Sequence, residues 1–217
     1  VVDWYEVLLP VISFLFSVAG ICYITLVTFQ RVRLYRLESR FRRQLQGAEY
    51  QAALATISQA LVLDPSAASL YQSRARVYYE LGDYFSAEAD YTQSMRFSQG
   101  ATSYAWRAAS RLALGETRRA LIDANHAIAC SRLWWRGYYE RGRVYATLGH
   151  FAIALEDFDQ AFELTRQPSA ELYLARAEVR RQLGHLEEAR HDFEQALKLN
   201  PGLKEKNTFG QPSFSTE

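Results

Sequence analysis

The sequence reads as an all-α chain in which helix pairs stack into a solenoid behind one membrane-spanning helix. Three features lead there. The dipeptide Leu-Gly recurs at Leu81-Gly82, Leu114-Gly115, Leu148-Gly149 and Leu183-Gly184, spaced by 33, 34 and 35 residues. Tyrosines and small residues keep phase with those glycines through four copies. Ahead of the repeats, Val7 to Phe29 runs for 23 residues without a charge.

The apolar run comes first in the chain. As a helix rising about 1.5 Å per residue it would span roughly 34 Å, enough to cross a hydrocarbon core. A secretory leader would open on positive charge and close on a small-residue cleavage site. This run opens after Asp3 and Glu6 and leads into Gln30-Arg31-Val32-Arg33, so residues 7–30 read as an uncleaved transmembrane helix and 1–6 as a short segment on the trans side. Trp4, Tyr5 and Tyr35 suit the two interfaces. Ser13 and Ser17 form a small-xxx-small pair that faces either lipid or a partner helix. The chain opens on Val, which predicts further residues upstream.

Orientation follows from arginine. Arg31, Arg33, Arg36, Arg40, Arg42 and Arg43 stand against Glu38 alone in residues 30–46, so the positive-inside rule places the C-terminal bulk on the cytoplasmic or stromal side. Arg31, Arg33, Arg36, Arg42 and Arg43 are the expected membrane-flanking residues, and the lipid bilayer is the first expected partner.

Each repeat is a pair of helices, A and B. With the first A-helix residue as position 1, tyrosine holds position 4 (Tyr71, Tyr104, Tyr138, Tyr173). Small residues hold position 8 (Ala75, Ala108, Gly142, Ala177), position 20 (Ala87, Ala120, Ala154, Ala189) and position 27 (Ser94, Ala127, Ala161, Ala196). Small residues let two helices approach, and large ones at positions 4, 17 and 24 fill the gaps. Glycine at position 15 ends helix A in the left-handed conformation that only glycine adopts cheaply. Such units bury their apolar faces only by stacking. The units are 66–99, 100–133, 134–168 and 169–201. A degenerate copy in 31–65 keeps Leu37, Tyr50, Ala53, Ile57 and Ala60 in phase but has Phe41 at position 8 and Ala48 at position 15. Its helix A, about Leu34–Gln46, is expected to continue the membrane helix. Residues 202–217 read as an extended tail.

This pattern resembles the tetratricopeptide repeat (TPR) family across residues 34–201. The resemblance implies a right-handed superhelix whose concave face, lined mostly by A helices, binds proteins or peptides. Contacts are then expected from A-helix positions 2, 5, 9, 12 and 13, with 6 at the edge. Those positions carry Arg76, Tyr79, Trp106, Tyr139 and Arg143, the aromatic and arginine composition of interface anchors. For Tyr79 and Tyr139 the alternative is packing against neighbouring helices. The chaperone-gripping members of the family use Lys and Asn at such places, and these faces carry neither.

Two charges recur in register. Arginine holds position 7 (Arg40, Arg74, Arg107, Arg141, Arg176), and aspartate holds position 23 of the last four units (Asp90, Asp123, Asp157, Asp192). Because they rise and fall together, the expectation is a structural ladder of Arg–Asp pairs, with an arginine row reading an acidic peptide as the alternative. Arg40 has Thr56 in place of its aspartate and is free to face lipid headgroups. Trp134-Trp135, at a unit junction, reads as a plug beneath the superhelix or as an exposed foot.

Composition and motifs narrow the function. The net charge of +1 argues against a nucleic-acid binder. Two cysteines, Cys22 and Cys130, exclude a disulfide scaffold and a four-cysteine zinc site. No metalloprotease, phosphate-loop or nucleophile-elbow motif occurs, so the reading is not an enzyme, with no cofactor and no metal. What remains is a membrane-anchored protein–protein interaction scaffold whose partners are subunits of an integral membrane complex. In plan it looks like the anchored TPR assembly factors of photosynthetic (thylakoid) membranes. The alternative is an organelle-surface receptor for chaperones or precursor proteins.

Overall fold

The computed structural model describes the backbone of residues 4–204 and the side chains of residue 20 and residues 23–203. Ten α-helices and a short 3-10 turn account for the described chain, and no strand occurs in it. Helix α1 (Trp4–Gln46) pairs with α2 (Tyr50–Leu63). The next pairs are α3 (Ala68–Glu80) with α4 (Tyr84–Phe97), α5 (Ala101–Ala113) with α6 (Thr117–Cys130), α7 (Trp135–Thr147) with α8 (Phe151–Leu164), and α9 (Ala170–Gln182) with α10 (Leu186–Leu199). Pro201–Lys204 forms the 3-10 turn at the start of the segment read as a tail. Residues 205–217 of that segment lie outside the described residues.

Helix α1 is continuous for 43 residues, so helix A of the first unit is the C-terminal part of a much longer helix. The candidate span 7–30 has residues 7–19, 21 and 22 outside the described side chains, as are Asp3, Trp4, Tyr5, Glu6, Ser13 and Ser17. Among the described residues, no helix is long and apolar enough to cross a membrane. Between Tyr23 and Arg31 the described apolar stretch is only eight residues long, too short to cross a hydrocarbon core.

The helices stack in chain order, each against the next. A helices also touch A helices of the following unit (α3 with α5, α5 with α7, α7 with α9), whereas no two B helices do so among the described residues. The side on which successive helices meet is the inner side of a curved stack. The A helices therefore line the concave face.

Side-chain size sets the approach within a pair. A Cβ added to Gly142 would lie 2.8 Å from the ring of Phe158, itself 1% exposed, so α7 and α8 meet where glycine faces phenylalanine. The first unit solves the same problem with larger groups. Phe41 and Ile57 are both buried there and pack with Leu61, Leu70 and Val77.

The turns between A and B helices repeat one geometry. Gly82, Gly115, Gly149 and Gly184 have φ between 78° and 82°. In each, the next residue donates its N–H five residues back, as Asp83 does to the Tyr78 carbonyl at 2.9 Å. The first unit closes in the same way, with Glu49 donating to Gln44 at 2.8 Å, yet Ala48 occupies the left-handed position at φ 56°. A Cβ in that region costs about 1–2 kcal/mol. Replacing Ala48 with Gly is expected to stabilise the protein by roughly 1 kcal/mol, less whatever backbone entropy glycine adds to the unfolded chain. Chemical denaturation of the two proteins checks it, and a lower midpoint for the variant refutes the strain.

Candidate functional site on the concave face

The arginine–aspartate register is a set of forks on the helix pairs. Arg74 donates from Nε and Nη2 to the two carboxylate oxygens of Asp90 at 2.7 and 2.8 Å. Arg107 meets Asp123 at 2.9 and 2.8 Å, Arg141 meets Asp157 at 2.9 and 2.7 Å, and Arg176 meets Asp192 at 2.8 and 2.7 Å. The remaining Nη1 of each arginine reaches back to helix B of the preceding unit. Its acceptors are Ser58, Thr92, Asn125 and Asp159, at 3.3, 3.1, 3.1 and 2.9 Å. One side chain thus ties three helices. The carboxylates are nearly closed to solvent, and the four guanidiniums keep pKa values above their ordinary range. For Arg74 and Arg141 the hydrogen bond to aspartate leads. For Arg107 and Arg176 burial opposes the charge, and the aspartate bonds outweigh it.

Arg111 and Arg180 add a second cation to two of the carboxylates, Asp123 and Asp192, each at 2.8 or 2.7 Å. Neither arginine stands at a recurring position of all units, so the repeat pattern alone did not mark them.

The five residues expected to face a partner come together with two others. Trp106 lies under two guanidiniums, Arg76 with Cζ 3.8 Å from the ring centroid and Arg136 at 3.9 Å. Two guanidiniums cannot share one face of an indole at that distance, so the ring is clamped between them. The three residues come from α3, α5 and α7, one from each successive A helix. Tyr79 meets Trp106 edge-on at 5.3 Å. Glu140, fully buried, accepts from Arg136 at 2.8 Å and from Arg143 at 2.9 Å. Burial opposes the charge of Arg143, but Glu140 above all, then Tyr139 and Tyr79, hold its pKa above the usual arginine range. Burial likewise pushes the Tyr79 and Tyr139 hydroxyls up.

Accessibility divides the cluster. Arg76 keeps 46% of its side chain exposed, and Trp106, Tyr79 and Arg143 are half-buried. Tyr139 is 6% exposed and packs on Phe158 and Trp135, so it supports the cluster from beneath. Trp134 and Trp135 are half-buried at the junction, with Trp135 in the core around Tyr139 and the adjacent Leu133 81% exposed. Glu140, at an edge position of the repeat, was invisible in the sequence. The only signal for it was the Arg136–Glu140 and Glu140–Arg143 helical spacing.

Beyond the clamp the concave face opens. A groove of about 250 Å³ runs among α5, α7 and α9, with Leu112, Ala146, Ala175 and Val179 as apolar lining and Arg143, Thr147 and Glu178 as polar lining. A hydrogen bond from Arg181 holds the Glu178 carboxyl below its usual pKa, keeping that group anionic. No cluster of metal-ligating side chains occurs among the described residues.

Deleting the Asp123 carboxylate leaves Arg107 without its ionic partner, while Arg111 keeps Glu88 at 2.7 Å. Replacing Asp123 with Ala is expected to cost about 3–5 kcal/mol, against about 0–1 kcal/mol for removing Glu116 from its exposed pair with Arg119. Denaturant titration of both variants checks the contrast, and equal midpoints would remove the ladder from the account of stability.

Comparison with known proteins agrees with this geometry. Two models of the tetratricopeptide repeat match residues 136–168 and 170–203. DnaJ homolog subfamily C member 7 of Homo sapiens is 30% identical over 122 residues, 54% of this chain. The chain spans only 25% of that relative's length. Among solved structures, a thermophilic TPR protein of Thermus thermophilus superposes with a TM-score of 0.70 at 23% identity, over 80% of this chain and 96% of that one. MamA gives 0.59 at 17% identity, over 82% and 97%. YrrB, described as a TPR protein with an unusual peptide-binding site, gives 0.52 at 20% identity, over 76% and 88%. Two units of this chain match the tetratricopeptide repeat, and its stack of helix pairs shares the fold of solved TPR proteins.

Proposed function

We propose that the protein is a membrane-anchored adaptor that holds a segment of another protein on its concave face and serves in the assembly or stability of an integral membrane complex. TPR repeats suggest a protein-interaction scaffold, and the observation that carries the finer reading is the groove among α5, α7 and α9. Its apolar lining can take a partner's aliphatic or aromatic side chain, while Arg143 and Glu178 offer one cation and one anion to fix its direction. The Trp106 clamp stiffens the adjoining A helices, so less order has to be gained on binding. An anchor formed by 7–30, flanked by Arg31, Arg33, Arg36, Arg42 and Arg43, would raise the local concentration of the groove near membrane subunits. A photosynthetic membrane is the setting favoured by the plan of the chain.

A second reading, a receptor for chaperones or precursor proteins, is favoured by the similarity to a DnaJ homolog over 122 residues. The two differ in what is retained. Pull-down of the full chain in mild detergent, followed by mass spectrometry, is expected to recover multi-span complex subunits; recovery of soluble chaperones alone selects the second reading. Filling the groove with Thr147→Trp is expected to weaken capture about tenfold without changing the unfolding midpoint, whereas Arg76→Gln, which opens the Trp106 clamp, is expected to weaken capture and lower the midpoint together. Undiminished capture by both variants would move the contact off the concave face.

The anchor has its own test. Changing the six arginines of residues 31–43 to Glu is expected to invert or abolish insertion in a protease-protection assay, and unchanged topology would overturn the orientation.

A further inference from the structure

The junction where α1 enters the solenoid carries a polar site that the ladder leaves unfilled. Every other position-7 arginine closes its fork on an aspartate. In the first unit that place is Thr56, which is buried, and Arg40 has no hydrogen bond or ion pair among the described residues. Arg40 instead lines a cavity of about 300 Å³ with Arg43, Gln44 and Glu49. Arg43 too is exposed and without an ionic partner among the described residues. Gln44 is only 8% exposed, and its Oε1, shut off from solvent, has no hydrogen-bond donor. A buried carbonyl oxygen left without a donor is costly, and this is the single such side-chain atom among the described residues.

The four groups define a ligand. Two guanidiniums offer forks that match the paired oxygens of a phosphate as they match a carboxylate. Two cations and one carboxylate leave a single positive charge, which suits a singly charged phosphodiester. Gln44 Oε1 and Glu49 are acceptors, so the ligand must also bring donors. The terminal amide of Gln44 turns broadly about its last torsion, which lets a donor in the cavity engage it. Arg33 and Arg36 share the face of α1 that carries Arg40 and Arg43, by the spacing 33, 36, 40, 43, and lead from the apolar run to the cavity without lining it. Arg42, on another face, is spent on Glu38 at 3.8 Å.

We infer that Arg40, Arg43, Gln44 and Glu49 form a binding site for a hydroxyl-bearing phosphodiester headgroup, the chemistry of phosphatidylglycerol, taken from the bilayer at the foot of α1. The inference rests on the anchor proposed for residues 7–30 and uses no residue of the concave face, so loss of partner capture leaves it untouched.

The test uses the full chain in a neutral detergent, titrated calorimetrically with dihexanoyl-phosphatidylglycerol, dihexanoyl-phosphatidylcholine and the acyl-free diester glycerophosphoglycerol. Phosphatidylglycerol is expected to bind about tenfold or more tighter than phosphatidylcholine. The preference should vanish in Arg40→Gln/Arg43→Gln and survive in the charge-matched Arg132→Gln/Arg166→Gln, whose sites are exposed and remote in sequence from the cavity. Gln44→Leu removes the orphaned carbonyl, so it is expected to raise the melting temperature by about 2–4 °C while cutting the preference severalfold. Equal binding of the two lipids by the unaltered chain overturns the site, as does a preference that persists in both cavity variants. Glycerophosphoglycerol binding as tightly as the lipid would overturn the bilayer as the source.

Discussion

The arginine fork at position 7 governs how the units of this protein stand on one another. Each fork closes on the aspartate of its own B helix and leaves one N–H group for the B helix before it. A solenoid has no long-range closure, so its shape is the sum of small steps between neighbours. A planar group bonded on two edges fixes both the angle within a pair and the offset to the next pair. The bidentate geometry also resists rotation that a single hydrogen bond would allow.

On the inner side the same residue type works through stacking. Arg76 and Arg136 press on Trp106 from neighbouring units, and Glu140 accepts hydrogen bonds from both Arg136 and Arg143. The outer ladder and inner clamp bracket the middle units, so the concave surface there is a wall of side chains already satisfied by one another. Toward α9 the clamp ends and a groove with apolar lining opens. Rigidity and accessibility are therefore separated along the stack, which is how a repeat array offers a defined surface without a deep pocket.

The first unit departs from the other four at three recurring positions. It has threonine where the fork wants aspartate, an alanine where the turn wants glycine, and phenylalanine where the pair wants a small residue. Its helix A is the end of a long helix, so its geometry answers to α1 as well as to its neighbour. The local losses coincide with two arginines without ionic partners and a glutamine oxygen without a donor among the described residues, at the one place where the stack meets the segment ahead of it.

The helix pairs, their turns and the register of the Arg–Asp forks were legible from the residues alone. These follow from contacts within one repeat, and a repeat prints the same local solution several times, so periodicity reveals it. The resemblance to the TPR family, and not periodicity itself, singled out Arg76, Tyr79, Trp106, Tyr139 and Arg143 as expected contacts. It took the packed chain to establish that Trp106 is clamped by arginines from both neighbours, that Tyr139 is buried and Arg76 open, and that Glu140 holds two cations. Those outcomes depend on distances between successive A helices, which the stacking of whole units sets and no single repeat encodes.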